Sequence, residues 1–143
     1  MVEVNIQTFN DFCIACVRYD IEFCTEFLPN QPILLLFMHP ECDFCHEEIK
    51  QIKDRQNDLG SVSILLITTA QKKQVIDFYS YHQLNQFNNI QLLIDEDYKI
   101  SNYFDVKVIP TMFIYDKNKK LIFTHKGEIK IEAFIRYFTE EQP

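Results

Sequence analysis

The chain has 143 residues, 47% of them hydrophobic with 13 Phe and 7 Tyr, which excludes disorder and supplies one substantial core. A formal charge of −7 without any Lys/Arg cluster argues against nucleic acid as a partner and suits an anionic lipid surface poorly. Five cysteines are too few for a disulfide-stapled miniprotein, and no apolar run approaches the ~20 residues of a bilayer span.

Residues 1–10 lack the basic and apolar regions of a signal peptide, so the chain reads as soluble and not exported. Residues 4–28 read as an amphipathic helix, because Phe9, Phe12, Cys13, Cys16, Phe23 and Phe27 recur at steps of three, four or seven. Pro29 and Pro32 end it. Ile33 to Met38 is an uninterrupted apolar run, the pattern of a strand buried on both faces. Pro40 interrupts it, and Cys42-Asp43-Phe44-Cys45 follows. A helix then runs towards Gly60, with Ile49 and Ile52 facing inward and Glu47, Glu48, Lys50 and Lys53 on wetter faces.

Residues 62–68 form a second buried strand, 71–84 a helix with Val75, Phe78 and either Tyr79 or His82 inward, and 90–94 a short strand. Residues 97–104 suit a short helix. Val108-Ile109-Pro110-Thr111 leads into a strand over 112–115, whose hairpin partner covers 121–125. A last helix over 129–138 carries Ile131, Phe134, Ile135 and Phe138. Alternating strands and helices give an α/β sheet covered on both faces, in one domain over 1–143 with its core at about 31–138.

A strand that ends in C-x-x-C as a helix begins has a chemical consequence. Unpaired N–H groups and the positive end of the helix dipole stabilise a thiolate, the reactive form of cysteine. Cys42 and Cys45 therefore read as a redox dithiol. Glu41, Asp43 and Glu47 oppose a further negative charge there, which points to a mild thiol.

Taken in order, the strand before C-D-F-C, the helix after it, the extra helix–strand unit over 71–95 and the V-I-P-T segment resemble the thioredoxin superfamily. The set is most similar to its TlpA-like thiol–disulfide oxidoreductases. The resemblance implies a thioredoxin-like fold: a central mixed sheet flanked by helices, here with an N-terminal helix and the TlpA-type insert. It implies that Cys42 is the nucleophile, that Cys45 resolves, and that Pro110 is a cis-proline beside the dithiol. Ile109, Pro110 and Phe44 would then contact substrate. No cofactor beyond the dithiol is implied. The expected partners are a disulfide-containing protein or small thiol and an upstream dithiol donor, in cell redox homeostasis. The direction expected is that of a reductase rather than a strong oxidant. The bacterial members are often exported, which implies a periplasmic or envelope setting if a leader precedes Met1. The buried acid of thioredoxin, six residues before the first cysteine, is replaced by Leu36, so Cys45 needs another base or water. The family's peroxidatic pattern, Pro-x-x-x-Thr-x-x-Cys, is absent before Cys42.

Rival readings exist. C-D-F-C-H matches the c-type haem motif, but that attachment calls for a helical shell. Cys13 and Cys16 form a second C-x-x-C and read as packing residues on one helix face, with a redox relay including Cys24 as the alternative. Joined with Cys42 and Cys45 they could form a Cys₄ zinc site, but the 25 intervening residues exceed the usual spacing, so no metal is expected. His82 and His125 read as surface or half-buried side chains. The rival to an enzyme is a non-catalytic thioredoxin-like module that binds through the cis-proline groove.

Overall fold

The computed structural model describes residues 5–18 and 21–139. Its frame is three runs too apolar to face water: β3 (Ile33–Phe37), β4 (Ser63–Thr68) and β6 (Thr111–Tyr115), buried at every residue. Such strands belong in the middle of a sheet. β3 accordingly pairs parallel with β4, Leu35 opposite Leu65, and antiparallel with β6, Leu35 opposite Phe113. β5 (Ile90–Ile94) lies parallel to β4, and β7 (Leu121–Lys126) returns from β6 as a half-exposed edge.

The helices are α1 (Asp43–Asp54), α2 (Gln56–Leu59), α3 (Lys72–Tyr81), α4 (Lys99–Tyr103) and α5 (Arg136–Thr139). On one sheet face, Leu34, Leu36, Ile64, Leu66 and Leu92 pack with Ile49 and Ile52 of α1, Val75 and Phe78 of α3, and Phe138 of α5. On the other, Leu35, Phe37, Ile67 and Phe113 pack with Phe104 behind α4 and with Phe9. Each large apolar side chain so buried stabilises the fold by roughly 1.5–3 kcal/mol. The expected helix–strand insert is α3 and β5, which extend the sheet beyond β4.

The expected N-terminal helix is not what forms. Cys13–Cys16 is β1 and Ile21–Cys24 is β2, an antiparallel hairpin with Cys13 opposite Cys24. β1 also pairs with β5, Cys16 opposite Leu93, and the sheet order is β2-β1-β5-β4-β3-β6-β7. Val4, Tyr19 and Asp20 of the expected helix lie outside the described residues. The phenylalanine spacing suits a helical stripe, but burial along β1 alternates exposed and buried with the period of a strand. Sheet pairing and long-range packing decide the matter. Phe9 meets Tyr115 edge-on at 5.2 Å, and the Thr25 N–H donates to Phe12 O at 3.0 Å.

The C-terminal helix is also broken. A 3-10 turn at Ile131–Ala133 precedes the short α5, although Ile131, Phe134 and Phe138 still face the core.

Candidate active site

β3 delivers the chain to the dithiol. Its last bond outward is the Met38 N–H to Ile67 O at 2.9 Å, after which residues 39–42 turn over the sheet end. In that turn the Cys42 N–H donates to His39 O at 3.0 Å, and the Glu41 N–H to His39 Nδ1 at 3.1 Å. Cys42 is the N-cap of α1, with extended backbone. Its sulfur accepts the Cys45 N–H at 3.2 Å, so a helix-terminal donor points at it.

Both cysteines are free thiols; Cys42 is half-buried and Cys45 fully buried. Burial first, then the bond to the Cys42 side chain, push the Cys45 thiol well above its ordinary range, against a lowering bond from the His39 backbone.

Glu48, expected on a wet face, is 2% exposed. It lies one turn beyond Cys45, and its Oε2 has no hydrogen-bond partner. Burial raises its carboxyl to about 7, opposed by a bond from the Ile129 backbone and assisted by the charge of Glu128. Its charge also acts on Cys45, which ties the two groups electrostatically. The signal was available: Cys45, Glu48, Ile49 and Ile52 fall on one helical stripe, and the two isoleucines mark it as buried.

His82, read both as a surface or half-buried side chain and as the alternative to Tyr79 on the inward stripe of α3, takes the inward place. It is 2% exposed, and burial, then the charges of Lys53 and His46, lower it to about 4. His125, half-buried as expected, bonds through Nε2 to Glu128 O at 3.0 Å.

The Ile109–Pro110 peptide is cis. Because Thr111 pairs with Phe37, the register sets this peptide just past the strand ends, alongside residues 38–39. A cleft of about 160 Å³ there is lined by Met38, His39, Tyr98 and Ile109 among others. Val108, Ile109 and Phe44 are 44%, 41% and 53% exposed.

The other C-x-x-C is dismantled. Cys13 is exposed and disulfide-bonded to Cys24, whereas Cys16 is buried and free. Among the described residues, one group of three donors has metal-ligand spacing: Cys13, Glu22 and Cys24. Two of its donors are joined to each other, so no pair of thiolates is offered. A cavity of about 650 Å³ between β1 and the start of α3 includes neither Cys42 nor Cys45. Among the described residues no helix is long and apolar enough to cross a membrane.

A family model described as the AhpC/TSA family matches residues 8–124. No curated protein sequence matches the chain significantly. Solved structures that resemble it include a secreted Mycobacterium tuberculosis disulfide oxidoreductase homologous to E. coli DsbE, at 20% identity over 90% of this chain and 95% of that one, with a TM-score of 0.76. The exposed lipoprotein thioredoxin of Streptococcus pneumoniae is 21% identical over 92% and 99% of the two chains, with a TM-score of 0.71. Peroxidoxin BcpB from Mycobacterium tuberculosis is 16% identical over 95% and 96%, with a TM-score of 0.79. At these identities the likeness is one of fold, and the fold is thioredoxin-like.

Proposed function

The chain belongs to the AhpC/TSA family, and from that premise we propose that it is a thiol–disulfide oxidoreductase of the TlpA-like branch, with Cys42 as attacker and Cys45 as resolving thiol. The observation that carries the reading is the graded dithiol: a half-buried Cys42 sulfur receiving a helix-terminal N–H, and a fully buried Cys45 above Glu48.

The Cys42 thiolate attacks a substrate disulfide, forms one S–S bond and releases one substrate thiolate. Cys45 then gives its proton to Glu48 and attacks the Cys42 sulfur. A Cys42–Cys45 disulfide forms and the second substrate thiolate leaves. An upstream dithiol returns two electrons and two protons. A carboxyl near 7 suits Glu48 to this transfer, since a general base works best when poised near the ambient pH.

The exposed Val108, Ile109 and Phe44 favour a protein disulfide over a peroxide, with Ile109 and Pro110 flanking the bound segment. The missing peroxidatic threonine favours the same choice. The acidic surroundings of Cys42 support the reductase direction, and no cofactor beyond the dithiol is needed. The exposed Cys13–Cys24 disulfide supports an oxidising compartment such as the bacterial envelope.

The test is trapping. Cys45→Ser incubated with a disulfide-containing protein should accumulate a mixed disulfide on non-reducing gels, whereas Cys42→Ser should trap nothing. Trapping by Cys42→Ser alone would reverse the roles. No trapping by either, with an inert wild type, would favour a module that only binds.

A further inference from the structure

His46 follows the dithiol directly, and its ring is held at both nitrogens. Nε2 lies 2.7 Å from Pro40 O, in the turn that carries Cys42, and Nδ1 lies 2.8 Å from Nε2 of His82. A carbonyl only accepts, so His46 Nε2 bears a hydrogen, and in the neutral imidazole Nδ1 is then bare. In that tautomer His82 Nε2–H donates to it.

His82 itself is immobilised at the end of α3. Its N–H donates to Phe78 O at 3.1 Å, its carbonyl accepts from Lys53 Nζ at 2.9 Å, and its ring lies against Phe78 and Tyr81. The depressed basicity of its buried ring keeps it a neutral donor over the ordinary pH range. A second tie from α3 to the same turn runs from Gln74 Nε2 to Glu41 Oε1 at 3.1 Å.

We propose that His82 and His46 are a positioning pair through which α3 holds the Cys42 turn: His82 fixes the His46 tautomer, and His46 fixes the Pro40 carbonyl. Neither ring touches the exchanging bond. Their effect is to keep the Cys42 sulfur where the Cys45 N–H meets it. The proposal rests on the reading of Cys42 as the attacking thiol. An experiment on chemical reactivity rather than disulfide exchange separates the failure of one from the failure of the other.

The 143-residue chain with Cys42 and Cys45 reduced is compared with His82→Gln, whose amide N–H stands where Nε2–H stood, and His82→Phe, which fills the space without a donor. His82→Asn, polar but too short to reach His46, replaces the latter if the phenylalanine is not accommodated. Ring ¹⁵N shifts report the His46 tautomer, and iodoacetamide reports the reactivity of Cys42. Wild type and His82→Gln should show one His46 tautomer and equal alkylation rates. The donor-less variant should show mixed tautomers and alkylation slower by about tenfold, the scale of one weakened hydrogen bond to the reacting thiolate. An unchanged tautomer and rate without the donor would overturn the proposal. Equal slowing in His82→Gln would overturn it too, by assigning the effect to packing. If wild type is alkylated in this pattern yet exchanges with no disulfide, the enzyme reading fails and the positioning pair stands.

Discussion

The molecule contains the same four-residue spelling twice, Cys13-x-x-Cys16 and Cys42-x-x-Cys45, with opposite outcomes. In α1 and its cap, positions three apart share a face, so Cys42 and Cys45 lie together. In β1, positions three apart point to opposite faces, so Cys13 and Cys16 cannot meet. Cys13 bonds instead to Cys24, the residue directly across the hairpin, and Cys16 turns into the core near Leu93. Spacing alone is therefore not a dithiol motif; its meaning is set by the rise and twist of the backbone beneath it. The surroundings differ as well. Glu48 and His82 are buried on the side of Cys42 and Cys45, whereas the Cys13–Cys24 bond joins β1 to the outermost strand of the sheet.

The sharpest way to break this contrast is by function. Cys42→Ser should abolish disulfide-reductase turnover, while Cys13→Ser with Cys24→Ser should leave it near wild type, both followed by insulin reduction or a similar turbidity assay. Loss of turnover in the hairpin variant would make the second pair part of a relay.

Glu48→Gln should slow resolution of the mixed disulfide by on the order of 10²-fold, the usual weight of a positioned base, measured by rapid quench at neutral pH. Initial attack by Cys42 should change little. Equal slowing of both steps would move Glu48 from proton acceptor to packing residue.

The same two buried groups set opposite slopes of stability with pH. Glu48 has a folded value of about 7, above its ordinary 4.5, so its contribution is full below about 4.5 and is lost as pH rises through 7. His82 has a folded value of about 4, below its ordinary 6.5, so its contribution is present above 6.5 and is lost as pH falls towards 4. Each is worth about 3 kcal/mol across its window. In wild type the slopes largely cancel between 4.5 and 6.5. Urea unfolding should show stability rising with pH in Glu48→Gln and falling with pH in His82→Gln.

Removing the hairpin disulfide by the double serine variant should cost about 2–3 kcal/mol, the loop-closure entropy of a short ring. Cys16→Ala should cost only about 1 kcal/mol, the value of a small buried side chain. Thermal unfolding under non-reducing conditions ranks the two, and a reversed ranking would remove the structural role given to Cys13–Cys24.

The central layers were legible because their signals are redundant. Ile33–Phe37 and Ser63–Thr68 are apolar at nearly every position, and only a doubly covered strand accommodates that. The strand stop and helix start around Cys42 and Cys45 were legible because Pro40 breaks the apolar run and the helical period begins at Cys45. The N-terminal hairpin was not, because Phe9, Phe12 and Phe23 fit a helical wheel by coincidence, and β1 is specified by partners far along the chain, such as Ile94 and Leu93. The inward place of His82 was open to the helical period, but its partner was not legible, for a related reason. A lone histidine carries no local mark of its partner, and His46 lies 36 residues away. Glu48 differs from both, since Cys45, Ile49 and Ile52 by themselves mark its side of α1 as buried.

The hairpin also determines how the molecule ends. β2 is an outer edge of the sheet, four residues long, with Glu22 exposed in its middle. A strand so short offers an incoming chain few hydrogen bonds, and a carboxylate on that rim repels an identical copy. A sheet with this terminus offers little to edge-to-edge stacking. The cross-link from Cys13 to Cys24 ties that short strand to β1, so the same bond that closes the hairpin also fixes the rim of the sheet.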